Sequence, residues 1–168
     1  MHTPKILVAG LAVAASLTFS GCELFDQGFK QEVTVYSFPT GAKLTVDGQE
    51  AGTTPATLEL GRLLAHQVVI EKPGYKPYKE VITPVRNEAG ESVVRFGLAE
   101  DTGLYYDLSP SPVKAQMVTE VLPTTRGPDA YNEMASLITE VDQRREAGQI
   151  GPVEHKYIVD QIVTFYSN

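Results

Sequence analysis

A mainly β domain, followed by a connector and a C-terminal α-helical hairpin, is the fold class this sequence predicts. Three observations carry it. From residue 32 onward short β-branched runs are punctuated by Gly and Pro; residues 99–128 then hold Pro110, Pro112, Pro123 and Pro128 among Ser and Thr; after Pro128 the apolar residues recur at helical spacing. Five or six short strands so close together suggest a small β-sandwich, because a lone sheet would leave one apolar face in water. The 168 residues give room for one medium domain or two small ones, and 42% hydrophobic content is ordinary for globular protein.

Residues 1–21 read as an export signal. Lys5 supplies the cation of the first segment, and residues 6–19 are an uncharged stretch rich in Ala, Leu and Val. That stretch falls short of the ~20 apolar residues a spanning helix needs, and Glu23 follows close behind it. The junction Phe19-Ser20-Gly21-Cys22 resembles the lipobox of bacterial lipoproteins, with Phe where Leu is usual. This resemblance implies that Cys22 is acylated and becomes the new N-terminus, with its covalent lipid as the only attached group. Each buried methylene adds about 0.8 kcal/mol, so two or more chains hold firmly where one binds reversibly. The alternative is a plain secretory signal followed by an incidental free cysteine. Similarity to enterobacterial sorting signals implies that Glu23, not being Asp, favours the outer over the inner membrane of the bacterial envelope.

Residues 22–31 form a lipidated tether in which Leu24, Phe25 and Phe29 are expected to pack on the domain, with resting on the bilayer as the alternative. The β domain spans 32–98, with strands expected near 32–38, 42–47, 56–60, 66–72, 78–84 and 92–98. Ala42, Leu44 and Val46 alternate with Lys43, Thr45 and Asp47, so one face is the more apolar. Pro39 and Gly41 turn the chain, and Asp47-Gly48 suits the positive φ of a tight hairpin. The connector 99–128 is apolar enough at Leu104, Tyr105, Tyr106, Leu108, Val113, Met117, Val118, Val121 and Leu122 to lie on the β domain or add an edge strand. In 129–168, Met134, Leu137, Ile138 and Val141 recur at helical spacing after Pro128, Gly148 stops that helix, and a second begins at Pro152.

Val33, Val35, Ser37, Pro39, Gly41, Ala42, Leu44, Val46, Asp47 and Gly48, then Gly52, Thr54, Pro55, Leu58 and Leu60, then His66, Val68, Ile70, Lys72, Gly74 and Tyr75 resemble a PEGA domain. The order Ser-x-Pro-x-Gly-Ala, Val-Asp-Gly, Gly-x-Thr-Pro and Lys-x-Gly-Tyr is kept, with Thr40 in place of Glu in the namesake motif. The resemblance implies a compact β-sandwich of envelope and surface proteins that is not an enzyme family. More loosely, Leu137, Val141, Gly148, Ile150 and Glu154 resemble the C-terminal helical module called SHOCT, which implies self-association through 129–168. The alternative is a helical hairpin that caps the chain's own core.

Lys5 is the only charged side chain among residues 1–21, so their removal takes the formal charge from −7 to −8. A nucleic-acid binder needs a basic face, and this balance argues against one. It equally disfavours electrostatic docking on anionic lipid, leaving covalent or hydrophobic attachment. No zinc motif, phosphate-cradling loop or nucleophile elbow occurs. His66, at a strand start, reads as a packing or hydrogen-bonding residue, and His155 as part of a solvated face. The sequence therefore predicts a non-catalytic, membrane-anchored lipoprotein that binds or assembles with an envelope protein. A second reading is binding of a cell-wall polysaccharide or peptidoglycan, with Tyr75 and Tyr78 stacking on sugar rings beside Lys72, Lys76 and Lys79; the alternative for these tyrosines is a core or turn role. A third is a carboxylate-dependent hydrolase, since a carboxylate pair leaves no spacing signature.

Overall fold

Val33, Val35 and Ser37 alternate with Thr34, Tyr36 and Phe38, and this period of two gives the first strand one buried face. The computed structural model of the chain describes residues 27–91 and 97–167. The export signal, Cys22 and residues 92–96 of the last expected strand lie outside the described residues.

The elements run β1 (Lys30–Phe38), β2 (Lys43–Val46), β3 (Gln49–Thr53), β4 (Ala56–Gly61), β5 (His66–Glu71), β6 (Tyr78–Arg86), α1 (Glu88–Glu91), α2 (Leu98–Asp101), β7 (Tyr106–Ser109), β8 (Val113–Gln116), α3 (Ala130–Glu146) and α4 (Pro152–Ser167). One sheet has the order β4-β1-β8 and the other β3-β2-β5-β6-β7. Every pairing is antiparallel except β1 with β8. The fold is thus mainly β, with two helices at the C-terminus.

Asp47-Gly48 makes the anticipated hairpin, both residues at positive φ (50° and 79°). The strand that returns from it, β3, is one the sequence does not announce. Gln49, Glu50, Ala51, Gly52 and Thr53 carry no β-branched run, and a bulge lets Leu44 face Gly52 while Thr45 faces Glu50. At the other end of the domain, Gly97 and Leu98 open a helical turn where the sequence suggested the end of a strand. The connector supplies two strands: β7 extends the larger sheet beside β6, and β8 lies parallel to β1.

The recurring motif residues tie the turns at one end of the sandwich. The Ser37 hydroxyl donates to the Pro39 carbonyl oxygen (2.6 Å) and accepts from the Thr54 hydroxyl (2.5 Å). Ala42 N–H donates to Thr54 Oγ1, and Gly41 N–H to the Thr54 carbonyl oxygen (2.8 Å). Ser37 and Thr54 are both buried, so each needs these partners. The Pro73-Gly74 turn holds the connector: Lys76 N–H donates to the Val118 carbonyl oxygen, Glu120 N–H to that of Gly74, and Tyr75 bridges Thr119.

Helix α3 starts two residues after Pro128, at Ala130, with Asp129 as the cap accepting from Asn132 N–H. It ends at Gly148 (φ 72°), where Gln149 N–H reaches the Arg144 carbonyl and Gly148 N–H that of Arg145. Helix α4 returns, and its Ile158 and Ile162, with Val141 of α3, are buried in one core with Leu44, Ile70, Val113 and Met117. Polar links fix its angle: the Tyr157 hydroxyl and Gln161 Nε2 both donate to the Met117 carbonyl oxygen (2.9 and 2.8 Å), and Thr119 N–H donates to Gln161 Oε1.

Strand direction separates two ends. β1 begins, β4 stops and β5 begins at one end, where residues 27–30 and 61–66 lie. β1 finishes at the other, where Phe38, Met117 and the helical pair close the sandwich.

Candidate functional site

The outward phase of the smaller sheet is where the chain offers a binding surface. Tyr36 stands opposite Lys114 and Phe38 opposite Gln116, while Thr34 stands opposite Thr57. Tyr36 is 47% exposed. With Phe38, Pro112 and Lys114 it lines an open hollow of about 520 Å³. The Phe38 ring meets Tyr157 edge-on, their centroids 4.5 Å apart. Past Gln116, which both hollows share, a second one of about 390 Å³ runs between Val118, Leu122 and Phe165. β8 ends its sheet, so among the described residues no strand pairs with its outer side. An apolar, aromatic groove beside an open strand edge suits an extended segment that adds main-chain hydrogen bonds and buries side chains. An aromatic ring and a cation lining one hollow also suit a sugar.

The four residues singled out from sequence do not share a surface. Tyr75 is 3% exposed, and its hydroxyl donates to Glu154 Oε1 at 2.9 Å. Burial, then this bond and the Glu154 charge, push its phenol well above the ordinary range. The ring joins the sandwich to α4 and offers no face for stacking, which corrects the sequence reading. Tyr78 is half-buried and donates to Glu80 Oε2 (2.7 Å), and that bond followed by burial pushes its phenol up to about 12. Lys76 is occupied too, its Nζ donating to the Leu122 carbonyl oxygen at 3.1 Å. Lys79 is exposed on β6, and Lys72 donates to the Thr40 carbonyl oxygen. Cys22 lies outside the described residues.

His66 is buried and bridges the Asp47 carboxylate (Nδ1 to Oδ2, 2.7 Å) and the Gly61 carbonyl oxygen (Nε2 to O, 2.9 Å). It pins the β2–β3 turn to the end of β4. His155 does not sit on a solvated face: its Nε2 is 2.6 Å from Asp142 Oδ1, linking α4 to α3. Among the described residues no three His, Cys, Asp or Glu side chains gather to hold a metal ion.

Sequence reasoning passed over Tyr36, Phe38, Lys114 and Gln116. A signal was present in β1, where Tyr36 and Phe38 occupy the phase opposite to Val33 and Val35. Aromatic residues on the solvent phase of a strand are either covered by something or used. The partner strand β8, by contrast, sits in a Pro-rich connector and could not be paired with β1 from sequence.

The structure therefore defines a small two-sheet β domain with an open groove on one outer face. Residues 30–96 match the PEGA domain family, and this chain carries a PEGA domain over that span. PEGA is a non-catalytic domain family. The chain matches no curated protein and no solved structure.

Proposed function

We propose that this protein is a non-catalytic envelope lipoprotein, held to the membrane by lipid on Cys22, that binds an envelope protein in the groove over β1, β8 and α4. The observation that carries the reading is the groove itself: Tyr36, Phe38 and Val118 stay accessible beside the unpaired edge of β8. The helical pair buries Val141, Ile158 and Ile162 in the chain's own core, which favours the groove over the inner helix face as the partner's site. A second reading, a wall polymer, is favoured by one observation, Tyr36 and Lys114 lining the same hollow from paired strands. A photo-crosslinking amino acid at position 36, used in intact cells, tests both. An adduct removed by protease supports a protein partner, one removed by muramidase supports the polymer, and no adduct at position 36 or 114 refutes the groove as the site.

A further inference from the structure

The end of the sandwich where the tether enters is apolar in a way the core does not require. Leu98 is 69% exposed, and Phe29, Leu64 and Leu104 are each nearly half exposed. They come from three abutting segments. Phe29 N–H donates to the Thr102 carbonyl oxygen (2.7 Å), and Thr102 in turn donates to the Leu98 carbonyl oxygen. Arg62 N–H and Leu63 N–H donate to the carbonyl oxygens of Phe29 and Gln27. β-Carbons built on Gly28 and Gly103 would lie 2.8 and 3.3 Å from the Leu63 side chain, so residues 28, 63 and 103 pack closely. Arg62 pairs with Asp107 and Arg86 with Glu100, while Lys30, Asp101 and, on α1, Glu88 and Glu91 are exposed at the rim of this end.

Gln27 is fixed to this end by its hydrogen bond from Leu63, and only four residues, five Cα–Cα steps, lie between it and Cys22. At no more than ~3.6 Å per residue, that length keeps the apolar end within about 18 Å of a lipid on Cys22. We infer that Phe29, Leu64, Leu98 and Leu104 rest in the interfacial layer of the anchoring bilayer and set the domain upright on it. The inference rests on the reading of Cys22 as lipidated. It agrees with the net negative charge, which leaves hydrophobic contact as the means of docking. β1 rises about 26 Å at ~3.3 Å per residue. It thereby carries the Phe38 end of the groove and the helical pair away from the lipid.

The chain has no tryptophan, so a single one reports its own surroundings. Full-length acylated Leu64→Trp, Leu98→Trp and Tyr131→Trp proteins are reconstituted into vesicles of phosphatidylethanolamine and phosphatidylglycerol, with and without lipids brominated near the top of the acyl chain. Tyr131, exposed on α3 at the far end, is the control. The expected result is blue-shifted emission and a loss of intensity to brominated lipid at positions 64 and 98, with neither at 131. Unquenched emission at 64 and 98 on vesicles that float with the protein overturns the docking and leaves the lipid anchor standing. A blue shift that grows with protein density yet ignores the bromine overturns it in favour of a second copy. Protein that fails to float removes the anchor, and the inference with it.

Discussion

Replacing Tyr75 separates its ring from its hydroxyl, and the two losses differ enough to be read apart. Tyr75→Phe removes only the donor to Glu154. A hydrogen bond to an ionised group contributes roughly 1.5–3 kcal/mol. Glu154 is only partly buried and can turn to water, so the low end applies, about 1–2 kcal/mol. Tyr75→Ala also empties a site that is 3% exposed, and removing a buried aromatic ring costs about 3–5 kcal/mol. Against a total stability of roughly 5–15 kcal/mol, the Phe variant stays folded and the Ala variant becomes marginal. Urea unfolding of the chain without residues 1–21, with Cys22→Ser, measures both. The midpoint should fall in that order with the slope unchanged. An Ala variant within about 0.5 kcal/mol of the parent, the spread of ordinary surface changes, would refute the buried ring. Loss of polymer binding in Tyr75→Ala would then report a weakened fold and not a lost sugar contact.

Alkaline stability follows from the same phenols. Tyr75 and Tyr78 hold their protons more tightly folded than unfolded, so their contribution is complete below the unfolded value of 10.0 and is lost as pH rises, through about 12 for Tyr78 and beyond for Tyr75. Between roughly pH 9 and 11 the parent should lose stability more steeply than Tyr75→Phe, and parallel slopes would exclude the mechanism. Gly61→Ala would set a β-carbon 2.5 Å from the Gln27 carbonyl oxygen, so the tether must move at a cost of about 1–3 kcal/mol. Amide exchange at Arg62 and Leu63 should quicken far more than at Val35, and unchanged exchange there would show that the tether is not clamped.

What the sequence made legible was whatever its local chemistry fixes. Asp47-Gly48 demands a hairpin, Gly148 a helix end, and Ala42, Leu44 and Val46 one buried face, and each stands where its pattern put it. β3 was illegible because it is an edge strand held by the hairpin and a bulge, with Ala and Gly where β-branched residues would be expected. For β7 and β8 the connector announced an edge strand, and what stayed hidden was which strands they would join. Their pairings join residues 83–86 to 106–109 and 35–38 to 113–116, and no local pattern in a Pro-rich segment encodes a partner so far along the chain. Tyr75 was offered to sugar rings because of its lysine neighbours, and it is the core alternative that holds once Thr119 and α4 cover the ring. Its motif neighbour Gly74 carries the same lesson, since its carbonyl is what receives Glu120.

The family match ends at residue 96, yet the core does not. Of the 18 buried apolar residues described, Leu108, Val113, Ala115, Met117, Leu122, Val141, Ile158 and Ile162 lie beyond it. Without β8 residues 36–38 of β1 would have no strand partner, and without Met117 and α4 Phe38 would lose its carbonyl's hydrogen bond and its ring's edge contact. In this chain the PEGA segment is therefore completed by sequence that follows it. The groove inherits that division: Tyr36 and Phe38 come from the family segment, while Lys114, Gln116, Tyr157 and Phe165 come from the chain's own extension. A surface assembled in this way need not be shared by other PEGA domains, because half of its walls are not PEGA residues. The common motif fixes the turns that hold β1 in place, and the extension decides what the outer face of β1 can bind.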